Sequence, residues 1–436
     1  MNFDRIRKAD TSTILRGVLC GFTLAFYIGA ILAPDLPEIF AGFYRIISNP
    51  AVLTKDYFFH ELGSVSGSLL NYGLVGTLCC ALMFLPGAKV TGITVAAYWL
   101  TVGFCSYGLN IVNMLPFPLG VFIYSLIKRE KFAKNINFAM FSCALSPLVS
   151  EVLFRYPSTE IHGVTLLGVA LALIIGIVTG ITMPSLCAHS PNFHKGYDLY
   201  NAGPAAGFLC FMLFAIMYKT LGVTAPEIKA TLGDGNRMFV NTFCIICFAL
   251  CILAGFAING NSFKGYGKLL MDSGYKVDFA AKYGIGVCVI NFGVYGLFIL
   301  AYYNLIGAKF TGPTFGAIWC MLAFCAAGAM PLNVLPIMIG YVIASLFGVF
   351  DINNQAIVVG LCFASGLAPV TGCYGWIAGI VAAMLHYCIV TSVPAIHGGF
   401  NLYNGGFTAG LVCFVLIPIL ESHFKTKEQR RAAKIK

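Results

Sequence analysis

The chain has 436 residues, of which 59% are hydrophobic and only 10% charged, and it carries a formal net charge of +10. Apolar runs of about 20 residues recur from Thr13 to Leu420, a composition that excludes a soluble globular domain. The basic surplus lies in short loops and at the two ends with no soluble domain to form a groove, so it argues for membrane topology and against a nucleic-acid partner.

Lipid satisfies no backbone polar groups, so continuous apolar runs without two-residue alternation predict helices. The expected fold class is all-α and polytopic. In chain order the predicted spans are 13–33, 64–84, 89–107, 109–127, 135–153, 161–183 and 200–219, then 238–257, 284–304, 309–327, 329–349, 355–371, 373–392 and 400–420. The first is long enough to span and no small-residue cleavage site clearly follows it, so it is expected to be a helix rather than a signal peptide. Ser146-Pro147 interrupts the fifth, which leaves a re-entrant hairpin as an alternative there.

The chain contains itself twice. Asn71–Leu126 lies over Asn291–Leu346 without a gap, with about two in five positions identical. This divides it into a first repeat (1–221), a linker (222–237), a second repeat (238–421) and a basic cytoplasmic tail (422–436). Seven spans per repeat, an odd number, predict about 14 transmembrane segments in two inverted repeats. Loop charge agrees. Arg5, Arg7, Lys8 and Arg16 at one end, and Lys425, Lys427, Arg430, Arg431, Lys434 and Lys436 at the other, place both termini in the cytoplasm. Lys128-Arg129-Glu130-Lys131 also falls inside, whereas loop 34–62, with Arg45 and Lys55 against four acids, falls outside.

Within the duplication, His194-Lys-Gly-Tyr-Asp-Leu-Tyr-Asn201 returns as His397-Gly-Gly-Phe-Asn-Leu-Tyr-Asn404, each before a glycine-rich apolar run. Such an irregular helix entry at membrane depth is tolerated where protein buries it or a cavity meets it. Asn201 and Asn404 are therefore candidates to cap the helix or bind a solute, with Tyr200, Tyr403, Asp198 and Asn401 around them. The competing reading is close helix packing through Gly203, Gly207, Gly406 and Gly410. His194 and His397 are candidates for proton or charge coupling, because imidazole titrates near neutral pH; no ligand set beside them suggests a metal. Asn113-x-x-Pro116 and Asn333-x-x-Pro336 either free a carbonyl for a solute or form a turn. Lys89 and Lys309, in Gly-Ala-Lys-x-Thr-Gly turns, either snorkel to headgroups or hold an anion. Asp56 and Asp278 precede helices and are expected to cap them. Glu151 is an acid within a broken apolar segment and has no repeat partner; Arg155, one turn on, is placed to pair with it.

The cysteines, including Cys244, Cys247 and Cys251 on one helical face, are expected to behave as small hydrophobes. No nucleotide-binding glycine loop, zinc-protease motif or serine-nucleophile elbow occurs, and no cofactor is implied.

With its His-x-Gly-[Tyr/Phe]-[Asp/Asn]-Leu-Tyr-Asn words, the chain resembles, over nearly its full length, a family of bacterial multi-pass membrane proteins known only as a domain of unknown function. The resemblance implies a membrane location and no activity. The seven-plus-seven plan is similar to the layout of uracil and xanthine permeases and of sulfate and bicarbonate carriers, whose substrate motifs are not found here. The function expected is a secondary transporter of a small polar or anionic solute in the cytoplasmic (bacterial inner) membrane, working by alternating access. The alternative is an integral-membrane enzyme or a subunit of a membrane complex. Expected partners are the small-molecule or ion substrate and the lipid bilayer, with homo-oligomerisation left open.

Overall fold

The computed structural model describes residues 9–227 and 230–435; Arg5, Arg7, Lys8 and Lys436, used above for topology, lie outside them. Most of the described residues are helical and none forms a strand, with a single isolated bridge between Lys55 and Thr231. The first half contains α1 (Thr11–Leu32), α2 (Ile39–Ile47), α3 (Val65–Met83), α4 (Gly92–Gly103), α5 (Pro116–Ile127), α6 (Ile136–Ser142), α7 (Ser146–Phe154), α8 (Leu166–His189) and α9 (Ala202–Phe214). The second half contains α10 (Arg237–Ile258), α11 (Ile285–Leu305), α12 (Gly312–Met321), α13 (Pro331–Ser345), α14 (Gln355–Ala364), α15 (Ala368–Tyr374), α16 (Trp376–Val390) and α17 (Asn404–His423), with α18 (Lys427–Ile435) after it. Among the described residues, nine helical stretches are long and apolar enough to cross a membrane, and shorter apolar helices lie between them.

Helix starts follow capping chemistry. Asp10, Ser64, Thr165 and Asn236 each accept from a backbone N–H in the first turn of α1, α3, α8 and α10. Pro147 and Pro369 stand at the second positions of α7 and α15, where a missing N–H costs nothing, and a 3-10 turn joins each to the helix before it. Residues 136–154 therefore form one broken helix rather than a hairpin. Against fourteen expected spans, nine stretches among the described residues have spanning length, and element boundaries also differ. Loop 34–62 contains α2, and the helix expected at 161–183 runs from Leu166 to His189, because Thr165 caps it and Pro184 is accommodated within it.

At the centre, α4 and α12 meet. Trp99 and Trp319 stack with centroids 5.1 Å apart, and a Cβ on Gly103 would lie 2.5 Å from Cys320 Sγ, so glycine permits the approach. The expected aspartate caps are present but cross between the halves. Asp56 Oδ1 accepts from Gly312 N at 2.8 Å, and Asp278 Oδ2 accepts from Gly92 N at 3.1 Å, so each half closes the other's central helix. Asp278 also caps its own short helix, Phe279–Tyr283, through Ala281 N.

Connecting segments meet in two groups. Residues 54–56 contact Thr231, and Asn236 contacts Phe310. Ser12 contacts Val90, Tyr275 contacts Lys195, and Arg430 contacts Tyr374.

Asp56 is buried and also accepts from Phe58 N and Gly233 N. Asp56→Ala is expected to lower stability by about 2–4 kcal/mol, and Asp56→Asn by less because it keeps an acceptor. Thermal unfolding in detergent checks this; an alanine variant as stable as the native chain would remove Asp56 as the link between halves.

Candidate functional site

The repeated words build the same turn twice. After α8 the chain makes a short helix, Pro191–His194, then reverses through left-handed backbone at Lys195 and Gly196; after α16 it makes Pro394–His397 and reverses at Gly398 and Gly399. His194 Nε2 lies 2.9 Å from Asn201 Oδ1, and Asn201 Nδ2 donates to Cys187 O at 2.9 Å. In the second copy the distances are 3.0 Å to Asn404 Oδ1 and 3.1 Å to Val390 O. Because the amide nitrogen is spent on the carbonyl, Oδ1 must accept, so Nε2 carries the imidazole proton. Each asparagine ties the turn to the helix before it, and neither side chain caps α9 or α17.

Asp198 Oδ1 and Asn401 Oδ1 each accept from the backbone N–H two residues on, at 2.9 Å in both copies. Asp198 Oδ2 and Asn401 Nδ2 are buried without a partner. Burial pushes the Asp198 carboxyl up to about 8, opposed by the Tyr200 N–H. Tyr200 OH reaches Cys320 O, Cys362 O and Ser365 Oγ of the other half, each at 3.1 Å. Tyr403 OH has no hydrogen-bond partner, and its ring stands edge-on to Phe104 at 4.8 Å. Reciprocal backbone bonds join the halves here: Leu199 N donates to Gly366 O and Leu402 N to Ala144 O, both at 3.0 Å. The glycines pack α9 on α17, where a Cβ on Gly203 would lie 2.4 Å from the Gly406 carbonyl carbon.

The other candidates lie elsewhere. Asn113 and Asn333 are buried, and both amides serve the chain reversal after the central helices: Asn113 Nδ2 donates to Gly108 O, and Asn333 Nδ2 to Gly328 O. Asn113 Nδ2 also donates to Ser150 Oγ. Pro116 opens α5, whereas Pro336 lies inside α13, and both pack beside glycines, Gly176 and Gly379. Lys89 and Lys309 are exposed at turns, the latter 3.9 Å from Asp234.

Glu151, its sequence-assigned partner Arg155, and Asn404 stand at a large cavity. The cavity measures about 820 Å³ and draws on both halves: Glu151, Arg155, Phe214 and Tyr218 from the first, and Phe363, Val390, Asn404 and Gly405 from the second. Loop residues Ala51–Lys55 and linker residues around Thr231 complete its mouth. Tyr218 OH donates to Glu151 Oε1 at 2.7 Å, and Arg155 Nε lies 3.3 Å from Oε2. Sequence reasoning missed Lys55, Tyr218 and the buried His386, whose ring nitrogens lie 2.7 Å from Tyr341 OH and 2.8 Å from the cavity-lining Gly405 O. It also passed over Asn71 and Asn291, although they open the ungapped repeat match; they donate to Leu109 O and Ala329 O respectively. Among the described residues no group of histidine, cysteine or acid side chains is placed to hold a metal.

Apolar helices around an interior of paired polar groups define a helical membrane protein with a solute-sized cavity. A family model described as "Protein of unknown function (DUF1576)" matches residues 36–219 and again 241–422, and the chain belongs to that family. No curated protein and no solved structure matches.

Two outcomes follow from the turn geometry. His397→Ala and Asn404→Ala are each expected to cost about 1–3 kcal/mol, Asn404→Ala more because it also loses the bond to Val390 O, and the double variant little more than Asn404→Ala, because the bond between the two side chains is lost in either. Additive losses in thermal unfolding would separate the two side chains. For Asp198, a folded pKa near 8 against about 3.9 unfolded means its contribution is greatest below pH 4 and declines as pH rises to about 8. Melting followed from pH 5 to 8 should therefore fall more steeply for the native chain than for Asp198→Asn, and equal slopes would contradict a protonated Asp198.

Proposed function

We propose that the protein is a solute carrier of the cytoplasmic membrane that moves a small polar or anionic solute by alternating access, with the cavity between the halves as its entry path. One observation carries this reading: the cavity is lined by both copies of the duplication and reaches Asn404 and Gly405, at the turn where the reciprocal backbone bonds join the halves. The two groups of connecting segments are consistent with fourteen passes in two inverted sets of seven, with the shorter helices counted as passes. In that arrangement the segments around Lys55 and Thr231 share the outer face, and the two termini share the cytoplasmic one. The cavity then opens outward. Toward the cytoplasm, Lys195 of the first half pairs with Glu421 of the second, which fits a state closed on that side.

A second reading, a membrane-embedded enzyme, draws on the Glu151, Arg155 and Tyr218 cluster, which comes from one half alone. Purified protein in vesicles separates these readings. A carrier gives saturable uptake that accelerates when the same solute is loaded on the opposite side. Flux that rises linearly with concentration and ignores trans solute would indicate a channel, and chemical conversion of the solute would indicate the enzyme.

A further inference from the structure

Where the duplication is broken, the cavity acquires its charge. Laying Pro147 over Pro369 sets Glu151 against Cys373 and Arg155 against Ile377, so neither charge recurs. Glu151 is already engaged, by Tyr218 OH on one oxygen and Arg155 on the other. Arg155 Nε is buried without a hydrogen bond of proper geometry, so the guanidinium is only partly satisfied. Lys55, on the outer loop, lines the same cavity, and no described carboxylate lies within ion-pair distance of its ammonium. Burial and then the charge of Arg155 hold the Lys55 ammonium below its ordinary range, opposed by Glu151, so the three charges feel one another across the cavity. The described acid at the mouth, Glu227, is exposed and has an interaction of its own.

We infer that the cavity recognises an organic monoanion with an apolar body, its carboxylate held between Lys55 and Arg155 and its body against Phe214, Val359, Phe363 and Phe400. The inference rests on the carrier reading for its biological use but not for its chemistry. Two cations beside one engaged carboxylate, with Glu227 exposed to solvent at the mouth, leave no more than a single positive charge inside to be matched, which favours a monoanion over sulfate or a dicarboxylate. A planar carboxylate suits the donors of a guanidinium. A cavity of about 820 Å³ lies in the range that encloses organic ligands and exceeds the needs of a small inorganic anion. Its phenyl and aliphatic walls gain from burying apolar surface.

The test uses the purified full chain in detergent, with 4-phenylbutyrate as probe and 4-phenylbutyramide and sulfate as comparisons. Thermal stabilisation should rise with phenylbutyrate concentration and be absent with the amide and with sulfate. Lys55→Gln, a change in a partly exposed loop, should weaken phenylbutyrate binding about tenfold while leaving the unliganded melting temperature nearly unchanged. Glu151→Gln, which leaves two cations unopposed, should shift preference toward the dianion phenylsuccinate. Equal stabilisation by acid and amide, stronger stabilisation by sulfate, or undiminished binding in Lys55→Gln would overturn the inference. Binding of phenylbutyrate without trans-accelerated flux would sink the carrier reading alone; saturable flux of another solute class without phenylbutyrate binding would sink this inference alone.

Discussion

A backbone group that leaves a helix inside an apolar bundle has no water to turn to, and that constraint governs the centre of this structure. The short helices α4 and α12 begin and end among buried side chains, so their free amides and carbonyls need partners supplied from elsewhere. Asp56 and Asp278 supply them at the starts, each from the opposite half. At the far ends, Asn71 Nδ2 donates to Leu109 O at 2.7 Å and Asn291 Nδ2 to Ala329 O at 3.0 Å, each from its own half. The halves are thus tied by polar contacts as well as by the Trp99–Trp319 stack; one half alone would keep its own threonine cap, Thr91 or Thr311, and lose the aspartate acceptor for the first amide of its central helix.

The same constraint accounts for the residues the duplication keeps. His194 with Asn201, and His397 with Asn404, close the same turn at the same distances, and the asparagine beside each reversal spends its amide on backbone. Repetition of a polar side chain in both copies marks a shared structural demand. Specificity for a solute imposes no such symmetry, because a cavity open on one face meets the two copies from different sides. Lys55, Glu151, Arg155 and Tyr218 fit that logic, as does Asp198, whose counterpart Asn401 makes the same backbone contact without a charge.

The helices were legible because apolar run length and capping residues are local properties, and Pro147 announced the break between α6 and α7. The nine residues of α2 were not legible, since a short helix within a polar connection leaves no long apolar run. The start of α8 was misplaced because Ile161 and Val164 extend the apolar run while remaining exposed, and Thr165 rather than hydropathy sets the boundary. The cross-capping by Asp56 was only half legible: sequence announces a capping residue but not which helix it serves, and Gly312 is 256 positions away. The cavity was least legible of all. Glu151 stood out as an unmatched acid, but Tyr218, its hydrogen-bond donor, is 67 residues distant and looks like one more aromatic in an apolar run.

The distribution of strong and weak contacts also bears on how such a protein would move. The contacts between halves at α4 and α12 are buried, and opening them would expose backbone groups at a cost of about 1–3 kcal/mol each. On the face bearing the termini, Lys195 of the first half and Glu421 of the second are about half exposed. Exposed ion pairs of that kind contribute about 0–1 kcal/mol apiece and exchange readily for water. Under the carrier reading, the path toward that face would open by releasing the Lys195–Glu421 pair, while the capped centre stays intact as the pivot. Rearrangement is cheapest where the polar partners already have access to solvent.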